Sequence, residues 1–269
     1  MRLRSFRRAG VLSVMLWAGL WAGAAQVGAS NLIYQGGPVI QSAKVVLIFW
    51  GPSFANAASA DHVYATTLQA YRNQLGTNHE YNVITQYYQI VGGVKQFIQL
   101  SNLAAGTADW FDTSTPPANV TDAAVQAEVQ RYIASHSADG STIYAVFLPS
   151  TSYSSDNGET SCGGPALGYC SYHGLAAGST GTAIKYAVQP YPSCSGCQVS
   201  GWSAVSNQEH FVAYSVRSTA MNPRFNSWYD ASGADGNDIC LWTPPPFMDA
   251  GGAYPYEWSN LASGCVKWR

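Results

Sequence analysis

The chain is expected to fold as a single α+β domain, a mixed twisted sheet packed by helices, and three features of its 269 residues predict this. Two short, continuous apolar runs, Lys44 to Trp50 (KVVLIFW) and Thr142 to Leu148 (TIYAVFL), have the length and β-branched, aromatic content of buried strands. Three other stretches place apolar residues at helical spacing behind residues that cap helices. No internal repeat and no domain linker divides the sequence. The roughly 240 residues after the N-terminal segment fit one large domain that can bury a core without a metal.

Arg2, Arg4, Arg7 and Arg8 precede an apolar run from Ala9 to Ala25 with small residues at Ala22 and Ala24, the layout of a cleavable export signal. Residues 1–29 are therefore expected to be a signal peptide and residues 30–269 the exported domain. The Arg7-Arg8 pair leaves both the general and the twin-arginine export routes open. No later stretch has the length and apolarity of a membrane span, so no integral membrane segment is expected after cleavage.

The first apolar strand ends at Gly51-Pro52, and a helix follows from Asp61, its expected cap, to Leu75, with Val63, Leu68, Tyr71 and Leu75 inward. Tyr81 to Val91 (YNVITQYYQIV) reads as a strand from its aromatic and β-branched content, stopped by Gly92-Gly93. Thr115-Pro-Pro-Ala118 is a connector to a helix over residues 121–137, capped by Asn119-Val-Thr121 and facing inward with Val125, Val129, Tyr132 and Ile133. The same triplet fits a glycosylation acceptor. After the strand at 142–148, residues 152–181 are rich in Gly, Ser and Cys, the composition of an irregular loop pinned by a disulfide, with Gly168 to His173 as an edge strand. Ile184 to Tyr191 alternates as a further strand, a helix spans 203–221, and a Pro- and Gly-rich tail closes the chain.

Setting aside the signal arginines leaves nine basic residues against fifteen acidic ones, a formal net charge of −6, which disfavours nucleic acid and anionic membranes as partners. Six cysteines, at 162, 170, 194, 197, 240 and 265, fit three disulfides in an oxidising compartment, so the protein is expected to be secreted, periplasmic or held in the cell envelope. Local pairing is preferred: Cys162 with Cys170, Cys194 with Cys197, and Cys240 with Cys265. Cys194-Ser-Gly-Cys197 as a redox pair or half of a zinc site is the weaker reading, since no second Cys-x-x-Cys accompanies it.

The helix at 203–221 carries most of the functional information. Val205, Val212, Val216 and Ala220 form its apolar stripe, and the neighbouring face carries His210, Tyr214, Ser215 and Ser218 at three- and four-residue steps. A zinc hydrolase places imidazole and carboxylate there; this chain places hydroxyls.

The order of motifs resembles secreted proteins related to the plant exordium, or phosphate-induced, family and its bacterial members. The resemblance rests on Tyr34-Gln-Gly-Gly-Pro-Val39, Val46-Leu-Ile-Phe-Trp-Gly51, Tyr81-Asn-Val-Ile-Thr-Gln-Tyr-Tyr88, Cys170-Ser-Tyr-His-Gly174, Tyr186-Ala-Val-Gln-Pro-Tyr191, Asn222-Pro, Trp228-Tyr-Asp230, Asp238-Ile-Cys240 and Trp258-Ser-Asn260, which together cover the exported chain. Many bacterial members carry His-Glu-x-x-Glu just before the Asp-Pro or Asn-Pro step, which implies a zincin-like helix and layout. The matching positions here are Tyr214, Ser215 and Ser218, so the resemblance implies a vacated metal site.

The expected function is a noncatalytic extracellular or envelope protein, a pseudoenzyme, binding an extended ligand (peptide or cell-wall glycan) in a cleft beside Tyr172, His173 and Tyr214, where aromatic side chains supply contact area. The alternative is a metal-dependent peptidase or other hydrolase with a shifted site at Glu209 and His210, for which His210 and Asp238 are the candidate metal ligands. His210 more simply reads as a residue at the surface or one behind the site's direct contacts, and His79-Glu80 as solvent-exposed. A Ser-His-Asp arrangement from Ser215, Ser218, His210 and Asp238 lacks a nucleophile elbow. The loop from Asp230 to Asp238 has oxygen ligands suited to calcium without the register of a calcium loop, which favours a solvated turn. No cofactor is expected, with zinc or calcium as the alternatives.

Overall fold

A computed structural model describes residues 31–136, 139–178, 181–249 and 251–269. The expected signal peptide lies outside the described residues. The centre is a five-stranded sheet of β1 (Lys44–Trp50), β2 (Trp110–Asp112), β3 (Thr142–Phe147), β4 (Tyr172–Ala177) and β5 (Ala183–Gln189), in the order β4-β5-β3-β1-β2. Only the edge pair β4 and β5 is antiparallel; the rest of the sheet is parallel. The apolar runs of β1 and β3 are buried on both faces, as parallel strands between helices require.

Strand alternation divides the core into two layers. Val45, Leu47 and Phe49 join Ile143, Ala145 and Phe147 under helices α1 (Ala60–Leu75) and α3 (Ala204–Met221). Val46, Ile48 and Trp50 join Tyr144 and Val146 under α2 (Asp122–Ser135). The fold is thus α+β, with a mixed sheet and helices on both of its faces. No helix among the described residues is long and apolar enough to cross a membrane.

The helix caps act as short polar side chains should, with one shift. Thr121 caps α2 through the Ala124 amide and Ser203 caps α3 through the Ser206 amide. For α1 the cap is Ser59, not Asp61, so the helix starts two residues earlier than expected, and Val63 lies on its outer face, 62% exposed. The expected strand at Tyr81 to Val91 is overturned over most of its length. His79–Asn82 is a helical turn capped by Asn78, Val83–Gln86 is a 3₁₀ turn, and only Tyr88–Val91 is extended, in a hairpin with Val94–Phe97. Tyr81, Ile84 and Tyr87 are buried at three-residue steps, the period of a 3₁₀ turn. The edge strand begins at Tyr172 rather than Gly168.

Two of the three expected disulfides are also corrected. Cys162 bonds Cys194 and Cys170 bonds Cys197, with Cα separations of 5.4 and 5.5 Å; Cys240 bonds Cys265 at 5.6 Å, as expected. The antiparallel β4–β5 hairpin returns the chain to its starting point, so the segment before β4 lies beside the segment after β5, while Cys194 and Cys197 flank a tight Ser195–Cys197 turn. These cystines fit an oxidising, extracellular compartment. Nonreducing peptide mapping of the purified native protein is expected to recover these three links and no free thiol; a Cys194–Cys197 link, or two alkylatable thiols, would contradict the fold of this corner.

Candidate functional site

Helix α3 is buried on every side from Asn207 to Met221, so its polar residues must find partners inside the protein. On one face Tyr64 Oη donates to Gln208 Oε1 at 2.7 Å, Gln208 Nε2 to Gln189 Oε1 at 2.6 Å, and Gln189 Nε2 to Ser215 Oγ at 2.9 Å. On the next, Tyr214 Oη donates to Asp238 Oδ1 at 2.7 Å. Asp238 in turn accepts the Asp235 amide at 3.2 Å, closing a capping box on the short helix α4 (Gly236–Cys240). Ser218 Oγ is buried without a partner.

The buried pair around Asp238 is electrostatically unusual. Burial, then the neighbouring Asp235 carboxylate, pushes the Asp238 carboxyl up to about 8. The Tyr214 phenol is raised as well, first by burial and then by Asp238, so its proton stays in the hydrogen bond. Asp235 accepts Asn222 Nδ2 at 2.8 Å and faces His173 Nε2 at 3.5 Å. Phe225 closes this pocket by stacking on the His173 ring at 4.9 Å, from a left-handed backbone position with φ +57°. Such a conformation costs a bulky residue about 1–2 kcal/mol and persists only where the surroundings enforce it.

Glu209 and His210 do not form a shared site, since adjacent positions on a helix point about 100° apart. Glu209 turns to the hairpin of Phe247–Asp249 and Gly252–Tyr254, where Oε2 accepts the Ala253 amide at 3.1 Å. Burial pushes its carboxyl up to about 7, and a glycine is required opposite: a Cβ on Gly252, whose φ is +149°, would lie 2.5 Å from the Tyr71 ring. His210 is fully buried, not at the surface. Its ring lies between Phe211, at 4.6 Å, and Trp242, at 5.2 Å, with no side chain hydrogen-bonded to either nitrogen. Desolvation holds its pKa down to about 3.

The expected ligand cleft is likewise corrected. Tyr172, His173 and Tyr214 are 4%, 3% and 2% exposed, and successive strand residues point to opposite faces of the sheet. Tyr172 faces the α2 layer, where its hydroxyl and that of Tyr186 both donate to Asp122 Oδ1 at 2.9 and 2.7 Å; His173 faces the α3 layer. Ser215 and Asp238 are engaged elsewhere and His210 has no side-chain partner, so no Ser-His-Asp arrangement forms among them. The loop from Asp230 to Asp238 is a self-capped turn, exposed at Ala231 and Ser232 and buried from Asp235 to Asn237. Asp230 Oδ1 accepts from Ser232 and Ala234, and Asp235 and Asn237 are fully buried. His79 is exposed, but Glu80 is 4% exposed. Among the described residues, the group of three His, Cys, Asp or Glu close enough to share a metal is Cys162, Cys194 and Cys197, whose sulfurs are in disulfides. Tyr214, Ser215 and Ser218 belong to no such group among the described residues.

Residues that the sequence did not single out organise the interior and the surface. Arg217, fully buried on α3, donates to the Glu80 and Pro255 carbonyls and to Asn237, and faces Glu257 Oε2 at 3.2 Å. Its one signal is a charge inside a helix whose other face reads as core. Outside, beyond the end of α3, two concavities of about 350 and 340 Å³ share Pro38 and Arg224 as walls. The first is lined by Ile40, Gly140, Lys185 and Pro223, the second by Tyr34, Gln89, Ile90 and Val91. No acidic residue lines either one. No protein-family model matches this chain, and neither a curated protein nor a solved structure matches it.

Proposed function

We propose that the protein is a noncatalytic extracellular or cell-envelope binding protein, an exordium-like relative of the zincin layout whose metal site has been rebuilt as a buried hydrogen-bond network. The observation that carries this reading is the state of the three positions where the resemblance places ligands and base: two are hydrogen-bonded to other side chains and the third is buried. Tyr214 is bonded to Asp238, Ser215 to Gln189, and Ser218 is sealed in the core. The antiparallel edge strand β4 on an otherwise parallel sheet, packed over α3, supports the zincin-like layout. With that interior closed, the surface that suits an extended ligand is the double concavity through Arg224, which replaces the expected cleft beside Tyr172, His173 and Tyr214.

The test is to follow amide resonances of the purified exported chain while adding unfolded casein peptides and, separately, soluble peptidoglycan fragments, and to weigh the additives afterwards by mass spectrometry. Shifts at Tyr34, Ile90 and Arg224 with intact additives are expected. Cleavage that a chelator stops and Glu209→Ala abolishes would replace this reading with the hydrolase one.

A further inference from the structure

From the charge and shape of this groove we infer that it takes the carboxyl-terminal end of an extended peptide, with the terminal carboxylate held between Lys185 and Arg224 and apolar side chains laid along Tyr34, Ile90 and Val91. The inference rests on the groove assignment made above. The exported chain has an excess of acidic residues, yet both charged side chains that line the two concavities are cationic. That local reversal of sign selects an anion.

The two cations play different parts. Lys185 is 5% exposed, on β5 at the inner wall, and its ammonium donates to the Gly140 carbonyl of the same concavity. Desolvation, followed by the nearby Arg224 guanidinium, lowers its pKa against the opposing pull of Asp139, so the site carries two cations in mutual repulsion. Arg224 is exposed at the wall common to both concavities, where its planar fork can meet a carboxylate. The Lys44 ammonium is already paired with Asp139 at 2.6 Å and does not compete.

The neighbouring concavity decides between a peptide and an acidic glycan. Ile90 and Val91 are 46% and 52% exposed aliphatic residues, which suit apolar side chains but give a sugar ring no flat face to stack on. The Tyr34 ring is already packed against Tyr88 at 5.4 Å and Trp228 at 5.3 Å.

The experiment titrates the folded exported chain with three probes, following the Arg224 side-chain and the Tyr34 and Ile90 amide resonances: acetyl-Ala-Val-Leu-Leu with a free carboxylate, the same peptide amidated, and inorganic phosphate. The free carboxylate peptide should shift all three residues, and the amide should bind about tenfold more weakly, the loss expected when a charge-assisted contact goes unmade. Arg224→Glu, at an exposed position, should abolish the difference between the two peptides. Equal binding of both peptides at the groove overturns the carboxylate inference and leaves the groove assignment standing. No shift with either peptide overturns both. Phosphate binding as tight as the peptide, or unequal peptide binding that survives Arg224→Glu, overturns the inference in favour of a simple anion site.

Discussion

Arg217→Met is expected to destabilise the protein by about 3–5 kcal/mol at pH 7.5, the range seen when one partner of a buried ion pair is removed. Arg217 is among the largest fully buried side chains, and its loss leaves the Glu80 and Pro255 carbonyls and Asn237 Oδ1 without their cationic donor and the Glu257 carboxylate without its counter-charge. Burial pushes the Glu257 carboxyl up to about 7 while Arg217 pulls it down. The penalty should therefore be smaller at pH 5, where Glu257 is protonated in the variant, than at pH 8. Urea unfolding at both pH values, in a cycle with Glu257→Gln, measures it. A loss under about 1 kcal/mol at pH 8, or additive single effects, would show that the pair carries little energy.

The thermal midpoint is expected to fall as pH rises from 5 to 8, the reverse of a protein held by salt-bridged carboxylates. Glu209 and Glu257 are raised from 4.5 to about 7 and Asp238 from 3.8 to about 8, each mainly by burial. A carboxyl whose folded pKa is raised contributes stability that is complete below its unfolded value and lost as pH climbs through the folded one. His210 acts in the opposite direction: lowered from 6.5 to about 3, it contributes stability present above 6.5 and lost as pH falls. These three carboxyls, joined by Glu80, which burial also raises, outweigh the one imidazole and leave a net loss between pH 5 and 8 on the order of several kcal/mol, with solvent-bordering Glu209 contributing least. Calorimetry in matched ionic strength checks the profile. Glu257→Gln and Asp238→Asn should flatten the alkaline limb, and His210→Phe the acid one. A midpoint constant or rising from pH 5 to 8 would exclude this arrangement of protons.

Much of the scaffold could be read from the sequence because it is encoded locally. The continuous apolar runs of β1 and β3 have one stable solution, and the caps at Thr121 and Ser203 place α2 and α3 to within a residue or two. Tyr81 to Val91 failed because aromatic and β-branched content fits a 3₁₀ turn buried at every third residue as well as a strand. The ligand cleft failed for a geometrical reason, since Tyr172 and His173 are neighbours in sequence yet lie on opposite faces of one strand. The contact between Tyr214 and Asp238 joins residues a helix and a turn apart, and Asp235, Arg217 and Glu257 act only through partners far along the chain. Local pattern carries no information about such encounters.

The two cystines at the β4–β5 hairpin are interleaved along the chain, Cys162 with Cys194 across Cys170 with Cys197. On the proposed extracellular route, a chain exported from its N-terminus presents Cys162 and Cys170 to an oxidant first, and they belong to different native bridges. An oxidase acting on thiols as they emerge would join them wrongly. The native set can form only after the hairpin between 172 and 189 has brought its ends together, or by thiolate attack on the premature bridge. On that route maturation calls for a compartment that exchanges disulfides as well as one that makes them, and production in a host without an isomerase should accumulate mispaired chains.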